Sequence, residues 1–170
     1  MHIRNETVGD ADGIDAVTQA AFADAAHSSH TEHLIVRTLR ATGALSVSLV
    51  AEDGAAIIGH IGISPVTVDD SSGRSLNGWY GLGPISVLPD RQGQGVGSAL
   101  MTQALHLLRE RGAAGCVLLG EPGYYQRFGF RADPGLQLPG VPPEYFMALP
   151  FAGPVPRGIV QYHAAFAATD

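Results

Sequence analysis

The residues Ile85-Ser86-Val87-Leu88-Pro89-Asp90-Arg91-Gln92-Gly93-Gln94-Gly95-Val96-Gly97-Ser98 start as an apolar, β-like run, break at a proline and then deliver glycine at three alternate positions. From Ala99 to Arg111 the apolar residues Leu100, Ala104, Leu107 and Leu108 have the spacing of one helix face, and Gly112 stands where a helix stop is expected. A strand therefore turns through glycines into a helix. The first backbone N–H groups of a helix have no internal partner and lie at the positive end of its dipole, which suits them to phosphate. Glycines at 93, 95 and 97 remove the side chains that would hold a diphosphate away and open backbone angles closed to other residues. The backbone from Gln92 through Ser98, including Gly93, Gln94, Gly95, Val96 and Gly97, reads as a pyrophosphate cradle.

Spacing narrows the ligand. A dinucleotide fingerprint needs G-x-G-x-x-G, but the residue three after Gly95 is Ser98, and no acidic residue follows at the ribose-binding distance. A P-loop needs Gly-Lys-Ser/Thr, and this segment has no lysine.

Gln92-Gly93-Gln94-Gly95-Val96-Gly97 instead resembles the Q/R-x-x-G-x-G/A acyl-coenzyme A signature of the GNAT superfamily of N-acetyltransferases, with Gln92, Gly95 and Gly97 matching. Downstream, Tyr124-Tyr125-Gln126-Arg127-Phe128-Gly129-Phe130 is similar to the tyrosine-to-Gly-Phe segment behind the fifth strand of that superfamily. Ile3-Arg4 with Glu6, Asp10 and Ile14 resembles its opening strand and helix. Gly81-Leu82-Gly83-Pro84, Gly120-Glu121-Pro122 and Val160-Gln161-Tyr162 resemble its YhbS-like bacterial branch. The chain departs at Leu118, where many relatives carry an asparagine.

The resemblance implies a mixed, mostly antiparallel central sheet with splayed parallel central strands and helices on both faces, in one N-acetyltransferase domain over residues 1–170. It implies acetyl transfer from acetyl-CoA to a primary amine by direct attack in a ternary complex, with no metal. Acetyl-CoA would lie along the edge Ile85, Ser86 and Val87, with the Val87 N–H polarising the thioester carbonyl. Tyr125 matches the general acid that protonates the leaving thiolate; on its residues alone it could equally cover a pocket wall with Tyr124, Phe128 and Phe130. A non-catalytic acyl-CoA sensor would carry the same cradle.

The base that takes the amine's proton is open from sequence. Glu32 begins the second helix, beside the expected acceptor pocket, yet it is also the fourth residue of a capping box, Ser29-His30-Thr31-Glu32. His60, within the run Ile57 to Ile63, is a second candidate, and a water chain a third. His27, His30 and His33 recur every three residues without an acidic second shell, which favours structural or solvent-facing roles over zinc. Cys116 sits in an apolar strand with nothing to lower its pKa, which favours packing over a covalent intermediate.

The remaining chain reads as a strand over His2–Glu6 and a helix from about Asp10 with Ile14, Val17 and Ala21 inward. A loop over Ala25–His30 follows, then a helix with Leu34, Ile35 and Leu39 inward, stopped by Gly43. These two helices form a candidate flap. Leu45–Val50 and Ala55–Val68 read as antiparallel strands joined at Asp53-Gly54, and Trp79–Val87 as a long strand. Gly115–Leu119 should lie parallel to the strand before the crossover helix. The proline-rich remainder reads as loops between edge strands Tyr145–Leu149 and Gly158–Tyr162.

A net charge of −6 disfavours nucleic acid and anionic membrane and favours a cationic acceptor: a small-molecule or peptide amine. The start lacks a signal-peptide pattern, no apolar run approaches a membrane span, and the single cysteine fits a reducing compartment, so a cytoplasmic location is expected. Low charge content, with Phe146, Phe151 and Phe166 read as exposed, makes a homodimer an expectation.

Overall fold

The computed structural model describes residues 1–26 and 28–167. Along the chain run β1 (His2–Asn5), α1 (Ala11–Phe22), α2 (Glu32–Ala41), β2 (Val47–Asp53), β3 (Ala56–Pro65), β4 (Thr67–Asp69) and β5 (Ser75–Leu76). They are followed by β6 (Trp79–Val87), α3 (Val96–Glu110), β7 (Gly115–Leu119), α4 (Pro122–Tyr125), β8 (Leu136–Gln137), β9 (Phe146–Pro150) and β10 (Gly158–Gln161). They gather into two compact units. One comprises Met1–Ser64, Gly83–Leu107 and the C-terminal residues from Ala164; the other comprises Pro65–Leu82 and Leu108–His163.

In the first unit the strand order is β1, β2, β3, β6. β2 and β3 form the antiparallel hairpin read from sequence, closing at Gly54-Ala55, with Gly54 at φ +64°. Their register pairs Ser48 with Gly62, Val50 with His60 and Ala51 with Gly59, then shifts, so that Glu52 pairs with Ile57 and Ile58 is the extra residue of a bulge. That residue reverses the alternation of β3. A Cβ on Gly13 of α1 would stand 2.8 Å from the Ile57 side chain, whereas one on Gly59 would meet Val96 and Leu100 of α3 at 3.0 and 3.1 Å. Helices therefore cover both faces: Ile14, Val36 and Val50 cluster on one, and Leu100, Ala104 and Leu108 of α3 are fully buried.

In the second unit the order β6, β7, β9 places β6 parallel to β7 over Trp79–Gly81 and Gly115–Val117, and β9 antiparallel to β7 along its whole length. The parallel pairing is three residues long. A second sheet has the order β5, β4, β10, β8. Val66, Val68, Trp79, Val117, Leu136, Phe146, Ala148 and Val160 form the core of this unit.

Mixed pairing, mostly antiparallel, matches the expected fold class, and several local expectations are corrected. The run expected over Ala55–Val68 is two strands, because Pro65 ends β3 and β4 joins the other sheet. β10 lies between β4 and β8 and is no edge strand. Phe146, read as exposed, is buried, and Phe151 lies beneath the Arg109 guanidinium, 4.6 Å from the ring centroid. Ile14 of α1 and Val36 of α2, the helices read as a candidate flap, have no exposed surface. Among the described residues no helix is long and apolar enough to cross a membrane.

Candidate active site

The turn ahead of α3 is built almost entirely by backbone. Pro89–Arg91 forms one turn of 3₁₀ helix in which Arg91 N–H donates to Leu88 O at 2.8 Å, and the Arg91 guanidinium pairs with Asp53 at 2.8 Å. Gly93 and Gly95 then take φ of +76° and +86°, angles an L side chain rarely adopts, with open space where a Cβ would point. Ala99 N–H donates to Gly95 O at 3.0 Å, and Val96 and Gly97 stand in the first turn of α3, which carries no acidic residue. Sequence reasoning used Gln92 and Gln94 only for their amides. Their side chains brace the turn: Gln92 Nε2 donates to Val87 O at 3.1 Å and Gln94 Nε2 to Asp90 O at 3.2 Å.

The strand end leading into this turn is tied to β3 by Leu88 N–H donating to Ile58 O at 2.9 Å. Ile85 and Val87 are half-buried. Ser86 between them is buried, and its hydroxyl has no hydrogen-bond partner among the described residues.

Tyr125 belongs to the second unit, at the end of α4. Its ring lies directly over the backbone of Gly120, where a Cβ would collide with it, and it stacks edge-on with Tyr124 at 4.9 Å and Phe130 at 6.4 Å. Burial pushes its phenol pKa up, which keeps the proton on the oxygen. Leu118, at the family's asparagine position, is packed in the core at 1% exposure and offers no polar group.

The groups weighed as proton acceptors differ sharply. Glu32 is the first residue of α2, whose N-cap is Thr31. The capping box read from sequence does not form: the Glu32 carboxylate takes the Ser28 hydroxyl on both oxygens at 2.8 Å, and the Ser29 hydroxyl pairs with that of Thr31. His30 is exposed, and His27 lies outside the described residues. Among the described residues no cluster of three His, Cys, Asp or Glu could hold a metal ion. Cys116 is fully buried, and burial pushes its thiol pKa up, leaving it no thiolate to react.

His60 is different. It has no exposed surface, and its Nε2 lies 2.8 Å from the Ser48 hydroxyl. That hydroxyl makes a short hydrogen bond to Glu6 Oε1. Arg40 of α2 grips the same carboxylate with Nε at 2.7 Å and a second nitrogen at 3.1 Å. Backbone pairing assembles the chain: β1 runs antiparallel to β2, and beyond it Glu6 N–H donates to Ser48 O at 3.0 Å. Burial would raise the Glu6 pKa, but the Arg40 and Ser48 hydrogen bonds overcome it and hold the carboxyl below its usual range. Burial also pushes His60 down to about 4, so the ring is neutral. Glu6, Arg40 and Ser48 were missed as members of a network because only the fold brings them together; Glu6 was legible only as part of the opening strand.

The fold and the glycine turn ahead of α3 agree with the expected acyltransferase class, and comparison with known proteins makes the class specific. Residues 44–132 match the acetyltransferase (GNAT) domain family. The chain is 40% identical over 131 residues to the uncharacterized N-acetyltransferase YhbS of Escherichia coli K12, covering 76% of this chain and 73% of that one. A GNAT family acetyltransferase from Brucella melitensis, solved in complex with acetyl-CoA, is 50% identical with a TM-score of 0.85, covering 97% of both chains. YhbS from Escherichia coli, solved in complex with CoA, is 35% identical with a TM-score of 0.85, covering 99% of this chain and 93% of that one. The chain belongs to the GNAT acetyltransferase family.

Proposed function

We propose that this chain moves the acetyl group of acetyl-CoA to a primary amine by direct attack in a ternary complex. The observation that carries the proposal is the turn over Leu88–Gly95, whose two positive-φ glycines open the first-turn amides of α3 to an anion. A half-identical relative with acetyl-CoA bound supports the same reading. The amides of Gln92 to Ser98 hold the diphosphate, the edge of Ile85, Ser86 and Val87 holds the pantetheine arm, and the Val87 N–H polarises the thioester carbonyl. Tyr125, kept protonated by burial, supplies the proton to the departing sulfur. Glu32 and His60 compete for the proton of the amine. With a net charge of −6 the acceptor is cationic before it reacts, a small-molecule amine or a peptide amine. The single cysteine, buried and reduced, suits a cytoplasmic setting.

Thermal unfolding with acetyl-CoA, ATP and NAD in parallel tests binding. Acetyl-CoA at about 100 times its Kd should add about 2.7 kcal/mol, roughly 5–10 °C for a chain of this length, and the other two should add nothing. No shift with acetyl-CoA overturns the proposal. Transfer is separated from binding alone by Tyr125→Phe, which should lower kcat about 100-fold while leaving the acetyl-CoA shift unchanged. An unchanged kcat removes Tyr125 as the acid.

A further inference from the structure

We propose that His60 is the base of this reaction, and that its Nδ1 takes the proton of the acceptor amine from the face of β3 covered by α1 and α2. The inference rests on the acetyl-transfer reading above and names the residue that activates the nucleophile.

Hydrogen bookkeeping fixes the state of the ring. Glu6 is ionised and grips Arg40, so it has no proton to give and can only accept from Ser48. The Ser48 hydroxyl has one proton, which it donates to Glu6 Oε1. It must therefore accept at its own oxygen from the other neighbour, the Nε2–H of His60. The neutral ring has a single proton, so Nδ1 carries a bare lone pair. Nδ1 is buried and has no hydrogen-bond partner among the described residues, a state that costs about 1–3 kcal/mol unless a donor arrives. The structure thus holds a lone pair in waiting, oriented by a serine and backed by a carboxylate.

Gly62, two residues along β3 and on the same face, puts no side chain over that edge of the ring. A Cβ there would stand 3.6 Å from His60 Cε1, 3.2 Å from Leu45 Cδ1 and 3.8 Å from the Gly83 carbonyl oxygen. Of the three atoms nearest that position the one polar atom, the Gly83 oxygen, is an acceptor, which suits an ammonium group. The position along the strand also fits the reaction. Ile58, two residues before His60, bonds Leu88 at the end of β6, and a Cβ on Gly59 would lie 3.1 Å from Ser86 O. His60 is thereby beside the stretch that carries Val87, the residue assigned to the thioester carbonyl. The charged groups facing the ring are Glu6, next to β1, and Arg40, from α2.

In the step itself an ammonium acceptor gives one proton to Nδ1. Its freed lone pair forms the C–N bond, the C–S bond breaks and sulfur takes a proton from Tyr125. The nitrogen then loses its second proton, which restores Tyr125 through solvent, and His60 releases its own. The imidazolium formed midway is stabilised by the Glu6 charge relayed through Ser48.

The test is His60→Gln in the full chain, because the glutamine amide can still donate to Ser48 while the Nδ1 lone pair is gone. Wild type is first offered spermidine, lysine methyl ester and an alanyl peptide with acetyl-CoA, and the best-used amine is carried forward. The variant should keep the acetyl-CoA thermal shift, lose about 100-fold in kcat/KM for the amine, and recover with rising pH as free amine replaces the missing base. A variant as active as wild type overturns the assignment, as does a loss that pH does not restore. Activity that falls instead in Glu32→Gln transfers the role to Glu32. Failure of acetyl-CoA to stabilise wild type, or of all three amines to be acetylated, overturns the acetyl-transfer reading and this inference with it. Should His60→Gln not fold, the ¹⁵N shifts of wild-type His60 decide: bare Nδ1 with protonated Nε2 supports the proposal, and the reverse tautomer overturns it.

Discussion

The turn ahead of α3, proposed to hold an anion, and the buried chain ending at His60, proposed to take a proton, are built in opposite ways. The first is made of backbone, from consecutive residues, and is braced by the side chains of Gln92 and Gln94. The second is made of side chains from residues 6, 40, 48 and 60, and the backbone only brings them together. A backbone site tolerates exchange of many side chains and fails when a glycine is lost. A side-chain relay tolerates backbone neighbours and weakens when a member is removed, because a partner that depended on that member is left buried without its hydrogen bond.

The largest effect should come from Gly95→Val. At φ +86° a β-branched residue is strained, and its methyl groups occupy the approach to the first-turn amides. The acetyl-CoA Kd, measured by calorimetry, should rise about 100-fold or more, equivalent to about 2.7 kcal/mol. Unchanged affinity would show that the turn is not the cradle. The relay should survive this substitution, so the acid response described next should be that of wild type.

That response follows from His60. Its pKa falls from 6.5 in the unfolded chain to about 4 in the fold, so between these values the unfolded state binds the extra proton and stability drops as pH falls. Thermal or urea unfolding at pH 6.5 and pH 5 should differ by about 2 kcal/mol from this group. Glu6, whose pKa is held down, adds its own loss below the usual carboxylate range, in the same direction. In His60→Gln the part between pH 6.5 and 5 should vanish; if it persists, another group is responsible.

The smallest effect should be that of Ser48→Ala. Arg40 still satisfies Glu6, so the cost is mainly the stranded Nε2–H of His60, about 1 kcal/mol by chemical denaturation. The amine kcat/KM should fall about 10-fold, less than in His60→Gln, since the ring stays and only its tautomer is freed. An amine rate as low as that of His60→Gln would mean that the serine does more than orient the ring.

The legible parts of the protein are those written in consecutive residues. Gly93, Gly95 and Gly97 ahead of a helical stripe announce the turn, Asp53-Gly54 the hairpin, and Trp79–Val87 and Gly115–Leu119 coincide with β6 and β7. Where short-range signals compete, sequence reading fails. Ser29 to Glu32 satisfies the capping-box pattern, yet it is the Ser28 hydroxyl that bonds the carboxylate. Phe146 looks like a surface residue of a proline-rich tail, but the pairing of β9 with β7 turns it into core.

By itself the sequence determined the strand of β6, the glycine turn and the helix α3, because local backbone angles and helix periodicity depend on neighbours a few positions apart. Only the tertiary structure decided that His60 is buried and hydrogen-bonded to Ser48. Its face is set by the bulge at Ile58, which places His60 on the same side as Ile57 against simple alternation, and its tautomer by a carboxylate 54 positions earlier reached through Ser48. A bulge and a relay of side chains are settled by pairing between distant strands, and no local pattern along the chain encodes that pairing.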